Sequence, residues 1–397
     1  MYMPISGVEM AIWPLLLIGF CVGVIGGYFG IGGAFMVTPA LNIFGFPMAY
    51  AVGTDMAHVA GKSVVSTFRH WRFGHVSVLI AVLMIIGTFA GIEVGAQLIM
   101  WLTSKGIEGP VVRWVYIVIL GALAVYILNE YFKARKKEIV TGKKYTDVVG
   151  TKLSDYVQKT LNVAPVVHCK VANLKISIWA VIFVGCITGV VAGFLGVGGG
   201  FLRVPALLYV IGVPTKVAIG TDLFEVMISG AYGGFSYAIK GKVELAGAVI
   251  MLLGAAVGAQ FGTLTTKYVH GLFIRFLFGI TVALACISVS LRQIGWLFER
   301  TYSKPVSAFL EDAGFKADQI RQMMVKKDVM YQYIVTEMGK PEWYSAFIKF
   351  WWLRELSQWI MLGSAVGLSA YILYLCFQGM AKERSEKRNS SNTSATV

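Results

Sequence analysis

The 397 residues are 57% hydrophobic and only 14% charged, against about 25% charged in soluble domains, and the mean hydropathy is +0.69. That balance excludes a soluble globular chain and predicts an all-α integral membrane protein. The net charge of +14 invites a nucleic-acid reading, but the basic residues cluster in turns between apolar segments, so they orient the chain in a bilayer and imply no nucleic-acid partner.

No Lys or Arg precedes the first apolar stretch, 12–29, which favours a retained segment over a cleaved signal peptide. The stretch runs into the phrase Phe29-Gly-Ile-Gly-Gly-Ala-Phe-Met-Val-Thr-Pro-Ala-Leu41. The apolar segment 33–45 that follows has 13 residues, about 20 Å of helix against about 30 Å of hydrocarbon, and so reads as re-entrant or broken. Stretches at 52–68, 76–103 and 110–132 have near-spanning length. Residues 133–174 form a basic linker; ten Lys or Arg stand against three acidic residues in 133–175, which the positive-inside rule reads as cytoplasmic.

The order then recurs. A stretch at 175–197 leads into Leu195-Gly-Val-Gly-Gly-Gly-Phe-Leu-Arg-Val-Pro-Ala-Leu207, a second short segment covers 200–212, and longer ones cover 218–239, 243–266 and 270–291. With one inserted residue, Gly53-Thr54-Asp55 answers to Gly220-Thr221-Asp222, and Gly91 and Gly95 answer to Gly254 and Gly258. The chain is a duplication, with homologous repeats at 1–132 and 175–295. Residues 296–352 are a polar stretch with eight basic and seven acidic residues, read as a small helical soluble insertion. A terminal span at 353–379 and a basic, disordered tail at 380–397 complete the chain.

If the short segments do not cross, each half has four spans, the Arg69–His75 turn, the Lys240–Lys242 turn and the linker share the cytoplasmic side, and the repeats are parallel. If they cross, each half has five spans and the linker is expelled. The first arrangement is the expected one, with a conflict: it puts the basic tail outside.

A glycine-rich break repeated at matching places in two apolar halves points to a transporter binding site. Gly30, Gly32 and Gly33, with Gly196, Gly198, Gly199 and Gly200, can bare backbone N–H groups toward an anion; the competing reading is close packing of small residues. An ionisable group at membrane depth costs at least about 2.5–3.5 kcal/mol on insertion scales, so the charges there are expected to have a role. Asp55, His58 and Lys62 share a helical face, and their counterparts are Asp222, Glu225 and Ser229. Arg203 stands where the first half has Val37. Glu93, Gln97 and Gln260 read as interhelical hydrogen-bonding groups. Gly61-Lys62-Ser63 lacks the glycine at 56 that a phosphate loop needs, and Phe201 breaks a dinucleotide fingerprint. Five cysteines without paired spacing and scattered histidines suggest neither disulfides nor a metal site, and no cofactor is expected.

The doubled glycine phrase, the Ala-x-Gly-Thr after it and the turn Arg69-His-Trp-Arg-Phe-Gly-His-Val76 resemble the TauE/SafE family of sulfite and sulfonate exporters, across 12–132 and 175–295. The resemblance implies a multi-pass inner-membrane carrier of small sulfur-containing anions, not an enzyme. Asp55 and Asp222 replace the Ser that commonly follows Gly-Thr in that family, and the 296–352 insertion is not standard. The combined reading is a secondary transporter of a small oxyanion such as sulfite or an organosulfonate. Backbone donors at the breaks, Arg203, Thr54 and Thr221 hold the anion, while Asp55, His58, Lys62, Asp222 and Glu225 handle a coupling proton or ion. The alternative is a membrane sensor or assembly subunit whose 296–352 insertion docks a soluble partner. Lipid surrounds the chain in either case, and a homo-oligomer is left open.

Overall fold

The computed structural model describes residues 2–30, 34–141, 164–196, 198–312 and 341–394. The first half contains α1 (Ile12–Phe29), the short α2 (Ala34–Ile43), α3 (Met48–Arg72), α4 (Val78–Ser104) and α5 (Glu108–Thr141). The second half repeats the set as α6 (Ile178–Leu195), the short α7 (Gly200–Pro205) running into a π-helix (Ala206–Ile211), α8 (Thr215–Ile239), α9 (Leu245–Tyr268) and α10 (Gly271–Asp312). A final helix, α11, spans Pro341–Ser394. Each half opens on a small hairpin: β1 (Tyr2–Met3) with β2 (Val8–Glu9), and β3 (Val166–Cys169) with β4 (Leu174–Ser177).

Seven of the described helices are long and apolar enough to cross a membrane. The 25-residue α3 and α8 reach about 37 Å but carry charges; Asp55, His58, Lys62, Asp222 and Glu225 are all buried, so these two helices form the centre of the bundle and turn their polar faces away from lipid.

Helix directions overturn the parallel-repeat expectation. Gly53 packs beside Tyr237 and Lys242, Gly233 beside Met56, and Gly230 beside Val59, so α3 and α8 run antiparallel. The same holds for α5 and α10, where Arg113 Nε donates to Gln293 Oε1 at 2.8 Å near one end and Tyr131 stacks on Phe276 at 4.5 Å near the other. Equivalent helices that pair antiparallel are related by an axis lying in the membrane plane, so the repeats are inverted. Each short segment adds one reversal of direction, which makes the number of chain segments per half odd.

The remaining central helices exchange partners between halves. α1 runs parallel to α9 and α4 parallel to α6, each interface built on a glycine every fourth residue: Gly19, Gly23 and Gly27 face Met251, Ala255 and Ala259, while Gly185, Gly189 and Gly193 face Met84, Thr88 and Ile92. Spacing of four keeps one helical face bare and lets backbones touch.

The inverted arrangement sorts the charges differently from expectation. The Arg69–His75 turn, the end of α5, the β3–β4 hairpin and the end of α11 share one face. Ser77 Oγ lies 3.1 Å from Cys169 Sγ, and Lys267 Nζ pairs with Glu383 Oε2 at 2.9 Å. The basic tail therefore joins the basic turn and linker, and the conflict disappears. It is Lys240 and Lys242 that lie on the opposite face, where Lys240 pairs with Glu93 at 3.1 Å and Lys242 covers the Tyr50 ring at 4.4 Å. The tail expected to be disordered continues α11 as helix to Ser394, its Lys, Glu and Arg being good helix formers. Residues 142–163 of the linker and 313–340 of the insertion lie outside the described residues. The exposed positions Lys136 and Ser385 should, as single cysteines, react with an impermeant thiol reagent from the same side of the membrane, and Lys105→Cys from the other. Opposite labelling of Lys136→Cys and Ser385→Cys would overturn the inverted topology.

Candidate functional site

Both breaks start alike. Gly30 closes α1 at φ +76 with its N–H on the Gly26 carbonyl at 2.9 Å, and Gly196 closes α6 at φ +77 with its N–H on the Ala192 carbonyl at 2.8 Å. A Cβ at Gly30 would sit 2.7 Å from the Ile219 Cα and one at Gly196 2.6 Å from the Val52 Cα. Ile219 and Val52 are equivalent positions, so these two glycines lock each break onto the other half's central helix. Here the packing reading holds. Gly32 and Gly33 lie outside the described residues. Gly198 lies between Val59 and Val226, again equivalent, and so marks the pseudo-two-fold axis.

Gly199 and Gly200 begin α7. At Gly199, φ is +78 and a Cβ would lie 2.8 Å from Arg203 Nη2 and 3.0 Å from the Thr188 carbonyl oxygen, so the bare backbone makes room for the guanidinium. The helical turn that follows places Arg203 against α8, where spacing of three puts Asp222 and Glu225 on one face. Arg203 Nη1 donates to Asp222 Oδ1 at 3.2 Å and to Glu225 Oε2, Nε approaches Thr188 Oγ1 at 3.4 Å, and Ser229 Oγ donates to Glu225 Oε2 at 3.0 Å. All three charged side chains are 0% exposed. With both carboxylates ionised the trio sums to −1, and one proton makes it neutral. Arg203 Nη2 and Asp222 Oδ2 have no protein partner among the described residues.

The first half offers a different set on the same frame. Val37 fills the Arg203 position and is buried. Thr38 Oγ1 donates to Asp55 Oδ2 at 2.8 Å, and His58 Nδ1 is 3.5 Å from Asp55 Oδ1. Lys62, on the same helical face as both, makes no hydrogen bond among the described residues. Asp55 and Lys62 therefore do not neutralise each other by contact.

Thr54 and Thr221 have other work. Thr54 Oγ1 accepts the Glu244 N–H at 2.9 Å and Thr221 Oγ1 accepts the Ser77 N–H at 3.0 Å. These symmetric bonds satisfy the N–H groups of the turns that open α9 and α4 and join the halves; they use each hydroxyl as acceptor and leave its O–H as donor. Glu93 accepts from Ser236, Lys240 and Gln97, and Gln260 accepts from Arg69 at 3.4 Å, which makes them interhelical bonding groups. Thr38 on α2, Thr188 on α6 and Ser63, Ser66 and Thr67 on α3 are buried polar groups to which the sequence reading gave no site role. The last three carry a legible signal, since they continue the Lys62 face of α3 in steps of three and four. No three His, Cys, Asp or Glu side chains gather as metal ligands among the described residues, and all five cysteines are free thiols.

A family model described as "Sulfite exporter TauE/SafE" matches residues 15–289. The chain is also similar to "Probable membrane transporter protein YunE" of Bacillus subtilis, 24% identical over 62% of this chain and 86% of the relative. It is 25% identical to "Probable membrane transporter protein YdhB" of the same organism, over 68% of this chain and 97% of the relative. "Probable membrane transporter protein MJ0441" of Methanocaldococcus jannaschii is 26% identical over 56% of this chain and 71% of its own length. No solved structure matches the chain.

Proposed function

Because this chain belongs to the sulfite exporter TauE/SafE family, a family of membrane transporters rather than enzymes, we propose that it is a secondary transporter of a small sulfur oxyanion, sulfite or an organosulfonate, coupled to a proton. It is a multi-pass inner-membrane protein, and by the positive-inside rule the face bearing Arg69, Arg72, the linker and the α11 tail is cytoplasmic. The observation that carries the reading is the buried trio at the second break, one guanidinium held by two carboxylates.

A guanidinium so held is not free for an anion, since both carboxylates compete for it. A proton taken up by Asp222 or Glu225 discharges one competitor and leaves the arginine's fork available to an oxyanion, whose geometry it matches. Loss of the proton restores the pair and expels the anion. Proton and anion thus occupy the trio together or not at all, which is the condition for coupled movement. The inverted repeats supply the second requirement, because two equivalent halves around a site on their axis can exchange conformations and so open it alternately to either face.

The test is flux in proteoliposomes against sulfite, sulfate, a sulfonate and a carboxylate, with and without a pH gradient. Sulfite or sulfonate flux driven by the gradient supports the reading. Flux of the carboxylate alone would reject the substrate class, and sulfite flux indifferent to the gradient would reject the proton.

A further inference from the structure

The two halves differ most at the middle of α3. Lys62 is 1% exposed and its ammonium has no hydrogen-bond partner among the described residues, nor an ion-pair partner there. The carboxylate on its own helical face, Asp55, acts on it through space and makes no contact with it. Asp222 and Glu225 are held by Arg203, and Asp55, two turns away on α3, is engaged by Thr38 and lies beside His58. A buried cation without a contact partner is expensive unless a counter-charge arrives.

The next buried polar positions along α3 carry hydroxyl groups. From Lys62 away from Asp55, Ser63 Oγ, Ser66 Oγ and Thr67 Oγ1 are also buried and also without protein partners among the described residues. Positions 62 and 66, and 63 and 67, form two adjoining stripes on the buried side of α3 within about 8 Å of helix length. In the second half the equivalent positions are Ser229, Gly230, Gly233 and Gly234. Those glycines face α3 closely: a Cβ would lie 3.1 Å from Val59 at Gly230, 2.1 Å from Met56 at Gly233 and 3.1 Å from the Ala57 Cα at Gly234. On α8 this stretch serves packing, whereas on α3 it carries an ammonium and three hydroxyls without protein partners among the described residues.

We infer that Lys62, with Ser63, Ser66 and Thr67, forms a binding subsite for a small sulfur oxyanion, distinct from Arg203 and confined to the first half. One ammonium with several hydroxyl donors suits a compact anion whose oxygens point in several directions, and it would add an anion position on α3 to the one that Arg203 offers when the trio takes up its proton. The inference rests on the anion-transport reading above.

The experiment uses the full-length purified chain in nanodiscs and sulfite as the probe, read by calorimetric titration and by the sulfite-induced rise in melting temperature. Lys62→Met should leave the melting temperature without sulfite unchanged or higher, because a buried ammonium without a contact partner is removed, and should weaken sulfite binding about tenfold or more. Lys62→Arg should stay within about threefold of the native affinity, and Ser66→Ala with Thr67→Val should weaken it several-fold. Native affinity in Lys62→Met overturns the subsite while leaving the anion reading intact. Loss of stability in Lys62→Met with unchanged affinity in the folded fraction likewise assigns Lys62 a structural role and overturns it. Failure of the native chain to bind sulfite rejects both.

Discussion

Arg203→Gln should abolish transport and cost about 3–5 kcal/mol of stability, the range for breaking a buried ion pair from one side. The side chain is 0% exposed and is the shared partner of Asp222 and Glu225, so its removal leaves two buried carboxylates close together with hydroxyls, such as that of Ser229, in place of a cation. The triple change Arg203→Gln, Asp222→Asn, Glu225→Gln removes every charge at once and should recover most of the stability, since neutral isosteres avoid the desolvation penalty. Flux should stay absent, because the trio can then neither take up the proton nor hold the anion beside it. Thermal unfolding in detergent and sulfite flux in vesicles separate the two effects. If the triple variant transports, the trio is a structural network and the coupling role is wrong. Glu225→Gln alone gives a sharper reading: the remaining Arg203–Asp222 pair is neutral, so the fold should hold while the response to a pH gradient weakens or disappears.

Gly23→Leu should prevent assembly of the bundle altogether. A Cβ there would lie 2.4 Å from the Ala255 carbonyl oxygen and 2.7 Å from the Ala255 Cα. Both are backbone atoms that cannot swing aside, so α1 and α9 would have to separate along their whole interface. Within lipid no hydrophobic force draws the separated helices back together, because close helix packing itself is what holds such helices side by side. Gly363→Leu on α11 is the matched control, since a Cβ there meets nothing within 4 Å; it should fold and transport normally. Yield of monodisperse protein after detergent extraction decides the matter. A Gly23→Leu protein as well folded as the control would show that the α1–α9 interface is looser than the structure has it.

Membrane class, duplication and charged central faces were legible because each is a local pattern. Twenty apolar residues satisfy their own backbone in lipid whatever surrounds them. Asp222 and Glu225 share a face by helical spacing alone, and the exchange of Val37 for Arg203 shows on aligning one half with the other. Pairing of Arg203 with both carboxylates follows from the same positions. What local pattern could not supply was direction. A 13-residue apolar segment reads the same whether it turns back part-way or crosses, and charge counts in the Lys240–Lys242 turn do not reveal that Glu93 and the Tyr50 ring neutralise or cover them from other helices. The inverted relation of the halves, and with it the shared face of linker and tail, came only from which residues of α3 meet which of α8. The contacts of the small and polar residues came from the same level. Gly30 and Gly196 look like anion donors in sequence but are pressed against Ile219 and Val52, and Thr54 and Thr221 look like substrate hydroxyls but accept N–H groups from turns about 190 and 144 residues away along the chain. Lys62 looks like half of a pair with Asp55. Spacing puts two side chains on one face, but only packing determines whether their charged ends meet, and here they do not.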